Sequence, residues 1–138
     1  MLSNTLNTNE VKNAAGTEVE FQRLLINERE TDFGVITEGP SQPHRLLIKH
    51  QETGIGLKRR RRSVCRFDKT VMSTVDTTLP VTVSAYVVLD IPSGALLAIT
   101  EASNVLAELG SFVHTLGTNT HLYDGTGTGA VVLLSGGL

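Results

Sequence analysis

The chain is short of the residues that commonly brace a fold or carry chemistry. Its single cysteine, Cys65, excludes an internal disulfide and a multi-cysteine zinc site, and no metal or cofactor is expected. Tryptophan is absent and aromatics make up only 4% of the 138 residues, against 40% hydrophobic overall, so a core must be built mainly from Val, Leu, Ile and Ala. A core of that kind, in a domain of this length, is often completed by a second subunit. No apolar run approaches the roughly twenty residues that cross a bilayer, and no membrane partner is expected. The start, Met1-Leu2-Ser3-Asn4-Thr5-Leu6-Asn7, lacks a basic region followed by an apolar stretch, so no signal peptide is expected either. A net charge of −2 argues against a generally basic nucleic-acid binder, and any such role has to rest on a local patch. No repeat of solenoid length is present.

What the chain does have is a long stretch suited to a pleated strand. Val81 to Ile91 is mostly β-branched or aromatic, with no Pro or Gly, and Pro92 ends it. Alternation sets Val81, Val83, Ala85, Val87, Leu89 and Ile91 on one side, which calls for a dry core. Thr82, Ser84, Tyr86, Val88 and Asp90 fall on the other, which can meet water or a ligand. The pattern then changes period. Ala102, Val105, Leu106, Leu109, Phe112, Val113 and Leu116 recur at three- and four-residue steps, predicting an amphipathic helix from Thr100 to Leu116. Thr100 is the expected N-cap and Gly117 the expected left-handed residue after the end. Gly110 inside the helix costs about 1 kcal/mol relative to Ala, tolerable where another backbone packs closely.

Upstream, Asn13-Ala14-Ala15-Gly16 reads as the turn of a hairpin with strands near 5–12 and 17–26. A short strand is expected over Thr31–Thr37, followed by the turn composition Gly39-Pro40-Ser41-Gln42-Pro43. His44 to Gln51 alternates, with Arg45, Leu47, Lys49 and Gln51 on one side and His44, Leu46, Ile48 and His50 on the core side. After a turn at Gly54-Ile55-Gly56, five consecutive cations, Lys58 to Arg62, open a strand predicted over 59–68. Arg60, Arg62, Val64, Arg66 and Asp68 share one side of it, and Arg59, Arg61, Ser63, Cys65 and Phe67 the other. Lys69 to Thr78 is polar and Thr-rich and reads as an exposed loop. Ala130–Leu134 fits either a short helix or a terminal strand, since five residues do not distinguish the two periods.

The basic run is open to two bland readings, a solvated turn or a nuclear-localisation signal. Nucleic-acid binding gains from the projected face, where Arg60, Arg62 and Arg66 join Arg45, Lys49 and Tyr86 on a sheet otherwise rich in Thr and Ser. Cations neutralise phosphates, and a tyrosine stacks an unpaired base at about 1 to 3 kcal/mol. Single-stranded or looped RNA offers such bases. Catalysis is not expected. His44 and His50 lie on the core side, His114 comes late in the helix, and Cys65 has no His or acid at a recognisable spacing. The glycines of 125–129 lack the Gly-Lys-Ser/Thr ending of a phosphate loop.

Leu79-Pro80-Val81, Tyr86, Ile91-Pro92 and the helix with its Gly110 together resemble the coat proteins of single-stranded RNA bacteriophages, the levivirus group. The resemblance extends over most of the chain in element order. It implies an α+β subunit with an N-terminal hairpin (1–28), a five-stranded antiparallel sheet (29–92) and a C-terminal helical region (96–138), all in one domain. It further implies an intertwined homodimer in which Leu106, Leu109, Phe112 and Val113 are covered by the partner, and an icosahedral capsid assembled in the bacterial host cytoplasm to form the virion. The inward sheet face would hold the RNA genome, and a genomic hairpin with translational repression, through Arg45, Lys49, Arg60, Arg62, Arg66, Tyr86 and Asp90. Val88 departs from the polar contact of some members, and Ser63, a match to a base-contacting hydroxyl, falls on the core side. The loop 69–78 would surround the symmetry axes, without the cysteines that cross-link some shells. A cellular RNA-binding module using the same face is the alternative.

Overall fold

Among residues 2–137, which the computed structural model describes, six β-strands precede two α-helices. The strands are β1 (Thr5–Leu6), β2 (Phe21–Ile26), β3 (Glu30–Gly34), β4 (His44–Thr53), β5 (Arg60–Met72) and β6 (Pro80–Ile91), and the helices α1 (Thr100–His114) and α2 (Thr128–Ser135). Every strand pairs with its neighbour in the chain, giving one antiparallel sheet in the order β1 to β6. The expected α+β architecture is therefore the observed one, with the two-residue β1 as a sixth strand. Two units are distinguished: the residues through Thr8 with Glu20–Leu97, and Asn9–Val19 with the residues from Ala98 on.

In the sheet unit the apolar centre lies at one end of one face. Phe33 is fully buried and Phe21 and Leu46 nearly so, and Leu6 joins them. The Phe21 ring meets His44 edge-on at 5.0 Å and Phe67 at 5.9 Å between centroids. Arg23 ties the N-terminal strand into this cluster. Its guanidinium lies 5.4 Å from the Phe33 centroid and donates to Asn4 Oδ1 at 2.8 Å and to the Ser3 carbonyl at 3.0 Å. Three of the chain's four phenylalanines gather here, which is how so few aromatics suffice for one sealed cluster.

The longest pairing joins β5 to β6, in unbroken register from Arg61 opposite Ile91 to Met72 opposite Pro80. Lys69 to Met72, expected to be loop, continue β5. Their threonine and valine suit a pleated surface, and Thr70 and Thr82 face each other with hydroxyls 2.8 Å apart. The connection is correspondingly short. Ser73 Oγ accepts from the Val75 and Asp76 amides, and Asp76 accepts from the Thr78 amide and hydroxyl. At the opposite end Gly94 is required by crowding, since a Cβ there would meet the Gly56 carbonyl at 2.0 Å.

The dry side expected for β6 is only partly dry in the chain by itself. Ile91 is buried, but Val81, Val83 and Val87 are exposed, Val83 by 67%. His50, also expected on the core side, lies on that face but is exposed, its Nδ1 2.8 Å from Ser63 Oγ. The hairpin strands expected near 5–12 and 17–26 shorten to β1 and β2. The turn at Asn13–Gly16 is present, with the Gly16 amide donating to the Asn13 carbonyl, and Lys12 bridges Glu18 in the second unit.

In the second unit α1 ends at His114, not Leu116. Ile99 occupies the N-cap without a side-chain bond, so Thr100 is the first helical residue instead of the cap. Thr115, extended, follows the helix, and Gly117 takes φ +82° two residues later. The stretch 130–134 is helical, within α2, which packs on α1 through Gly129. A Cβ at Gly129 would come within 2.6 Å of the Phe112 ring, so the glycine allows the two helices to close.

Candidate nucleic-acid interface

Each antiparallel pair places facing residues on the same side of the sheet. The β4/β5 register sets Arg45 opposite Asp68, Leu47 opposite Arg66, Lys49 opposite Val64 and Gln51 opposite Arg62. The β5/β6 register sets Arg62 opposite Asp90, Val64 opposite Val88 and Arg66 opposite Tyr86. Arg45, Lys49, Arg60, Arg62, Arg66, Tyr86 and Asp90 therefore share one face. Tyr86 is 66% exposed on it, directly across from Arg66. Ser63 lies on the other face, opposite His50 and Leu89.

The same register brings carboxylates to this face. Glu30 lies opposite Lys49, Asp32 opposite Leu47, and Asp68 and Asp90 come from β5 and β6. Three cations are engaged by them. Lys49 Nζ is 2.8 Å from Glu30, Arg60 Nε 3.1 Å from Asp90, and Arg66 Nε 2.8 Å from Asp68. Asp68 also accepts from Ser84 Oγ, and that bond, with help from Arg66, holds its carboxyl below the usual range. The bond and charge of Glu30 raise the Lys49 ammonium above its ordinary value.

Arg45 and Arg62 differ from these three. Neither makes an ion pair or side-chain hydrogen bond among the described residues, and the Arg45 guanidinium lies over Gly34, where a Cβ would meet Nη1 at 2.4 Å. Glu30 went unread in the sequence because the third strand was expected to start one residue later, and the Ser84–Asp68 bond because pairing partners have no signature within a single strand.

The remaining titratable groups form no reactive cluster. Burial pushes the Cys65 thiol up, which disfavours the nucleophilic thiolate. His44 Nδ1 lies 3.2 Å from Glu38, yet burial outweighs that carboxylate and lowers the imidazole's affinity for a proton. No group of three or more His, Cys, Asp or Glu fit to hold a metal occurs among the described residues.

The residues expected at a dimer interface lie on α1. Leu106, Leu109 and Phe112 are each at least 44% exposed, and Val113 is half-buried. Phe112 is also in contact with Gly129 of its own chain. Among the described residues, leaving aside the helix's own neighbouring turns, nothing lies within 4 Å of the position a Cβ would take at Gly110.

No protein-family model and no curated protein matches the sequence. Solved structures do match. The bacteriophage EMS014 coat protein aligns with a TM-score of 0.65 over 86% of this chain and 87% of that one, at 14% identity. A virus-like particle of Beihai levi-like virus 32 aligns with a TM-score of 0.53 over 67% and 73%, at 18% identity. For a virus-like particle of bacteriophage AVE015 the TM-score is 0.50, at 16% identity, and the chain spans 64% of that chain's length. The fold is thus that of phage coat proteins of the levivirus type.

Proposed function

We propose that this chain is the capsid subunit of a single-stranded RNA bacteriophage, a structural protein without catalytic activity. The observation that carries the reading is the fold shared with phage coat proteins across most of the chain. Two features of the sheet unit and one of the helical unit support it. Among the described residues β6 has a partner strand on one edge only, so twelve residues present unpaired backbone groups along the other, with no lysine and no proline beyond the first position to guard it. On the apolar side of the same strand Val81, Val83 and Val87 stay exposed. α1 has no buried residue. Subunits that pair through β6 and cover each other's apolar strips would remove all three liabilities at once.

In the assembled shell the charged face meets the genome. Arg45, Lys49, Arg60, Arg62 and Arg66 supply cations and Tyr86 a stacking surface, a combination suited to single-stranded RNA. An RNA hairpin bound there would couple assembly to translational repression. The purified protein should elute as a megadalton species, show closed icosahedral particles by electron microscopy and protect RNA from nuclease. A small monomer carrying nuclease-sensitive RNA would instead support a cellular RNA-binding module.

A further inference from the structure

The charged sheet face is close to neutral. Five cations, Arg45, Lys49, Arg60, Arg62 and Arg66, share it with four carboxylates, Glu30, Asp32, Asp68 and Asp90. A phosphate that docks on Lys49, Arg60 or Arg66 competes for its charge with a carboxylate already within 3.1 Å. A phosphate that docks on Arg45 or Arg62 competes with none.

We propose that Glu30, Asp68 and Asp90 are built-in competitors for RNA phosphate, leaving Arg45 and Arg62 as the anion anchors of the face. Arg45 and Arg62 stand six strand positions apart along β4, through Gln51, the partner of Arg62. That is about 20 Å at the usual rise per residue. Tyr86 lies between them, in the row of Arg66 and Leu47. A single strand of RNA laid along β5 therefore reaches a cation near each end and an exposed ring in its middle. Ser84 and Asp68 act differently from the anchors. They hold Arg66 beside Tyr86, so Arg66 is positioned next to the stacked base instead of reaching out for phosphate. The face would then hold many RNA sequences weakly and with shallow salt dependence, which suits a shell that must line a whole genome without gripping it.

The inference rests on the reading of this face as the RNA surface, and its test separates the two. The full-length protein, disassembled into subunits and freed of copurifying RNA, is titrated with a fluorescently labelled single-stranded oligoribonucleotide of mixed sequence at several salt concentrations, and the slope of log affinity against log salt is measured. Each phosphate contact contributes about 0.7 to that slope. Arg62→Ser and Arg45→Ser are each expected to lower the slope by about 0.7, so that the affinity lost between about 50 and 200 mM salt shrinks by roughly 2.6-fold per cation. Asp90→Asn and Asp68→Asn should do the reverse, freeing an arginine, tightening binding and steepening the slope. The double variant Arg60→Ser with Asp90→Asn, which removes one charge of each sign, should bind nearly as the parent does. Aspartate variants that leave affinity and slope unchanged would overturn the competition. So would an Arg62→Ser protein no weaker than that double variant. A parent protein with no measurable RNA affinity would bring down the functional reading itself.

Discussion

The apolar residues of this chain have two fates. Around Phe33, Phe21 and Leu46 they are sealed within the sheet unit by the chain itself, with aromatic edges packed on His44 and Phe67. Along β6 and on α1, residues of equal hydrophobicity stay open: Val83, Val87, Leu106 and Leu109 all expose more than a third of their surface. Composition does not separate the two sets, and neither does periodicity. What separates them is who supplies the cover. A large ring reaches several neighbours within one subunit, whereas a strip of valines on an edge strand offers a surface that another extended element or a helix can match.

If the open set is an interface, the largest effect belongs there. Leu109→Asp is expected to abolish particles and dimers altogether, because pairing would bury an unpaired carboxylate, while circular dichroism of the unassembled chain stays unchanged. Persistence of particles in that variant would place Leu109 outside any subunit contact. Phe33→Ala should behave oppositely. Truncating a fully buried ring costs about 3–5 kcal/mol, so the chain itself should lose cooperative unfolding in urea before assembly becomes a question.

Gly110 gives a finer probe of the same contrast. No atom of the described residues crowds the site, so Gly110→Ala should stabilise the isolated helix by about 1 kcal/mol and raise the thermal midpoint of unassembled protein. Reduced particle yield from the same variant would mean that a partner's backbone closes on the glycine. Equal or better yield would mean that the site stays open in the shell.

The smallest expected effect is a pH dependence on the sealed side. Burial lowers the His44 pKa below its ordinary 6.5 despite Glu38. The unfolded chain then takes up a proton before the folded one does, so stability rises with pH in that window. The contribution is complete above about pH 6.5 and is lost as pH falls through the lower folded value. Urea midpoints measured on either side of that window should differ for the parent and converge for His44→Gln. No difference in the parent would mean that Glu38 offsets burial fully.

Much of this was legible in the order of residues. The long strand before Pro92, the helix beginning at Thr100, the turns at Asn13–Gly16 and Gly54–Gly56, and the alternation that sorts Arg60, Arg62 and Arg66 from Cys65 and Phe67 all follow from local periodicity and turn chemistry. Local pattern failed where a neighbour decides. Lys69–Met72 look like a polar loop until Pro80–Val83 pair with them, and Thr100 looks like a cap although the helix starts without a side-chain bond. The candidate face shows the same division. Asp68 was visible as a face residue, but the Ser84 hydroxyl that shares its carboxylate with Arg66 comes from the next strand.

Alternation within one strand is a covalent fact, since successive side chains must point to opposite sides of the pleat, and so the chain alone determined which arginines travel together. Whether those of β5 stand with Arg45 and Tyr86 or behind them depends on pairing register, because a slip of one residue reverses every side chain of a strand. Tertiary structure made that choice. The same choice set Glu30 beside Lys49 and Asp90 beside Arg60, so these two neutralisations were decided only when the strands met, whereas alternation within β5 already puts Arg66 and Asp68 on one side.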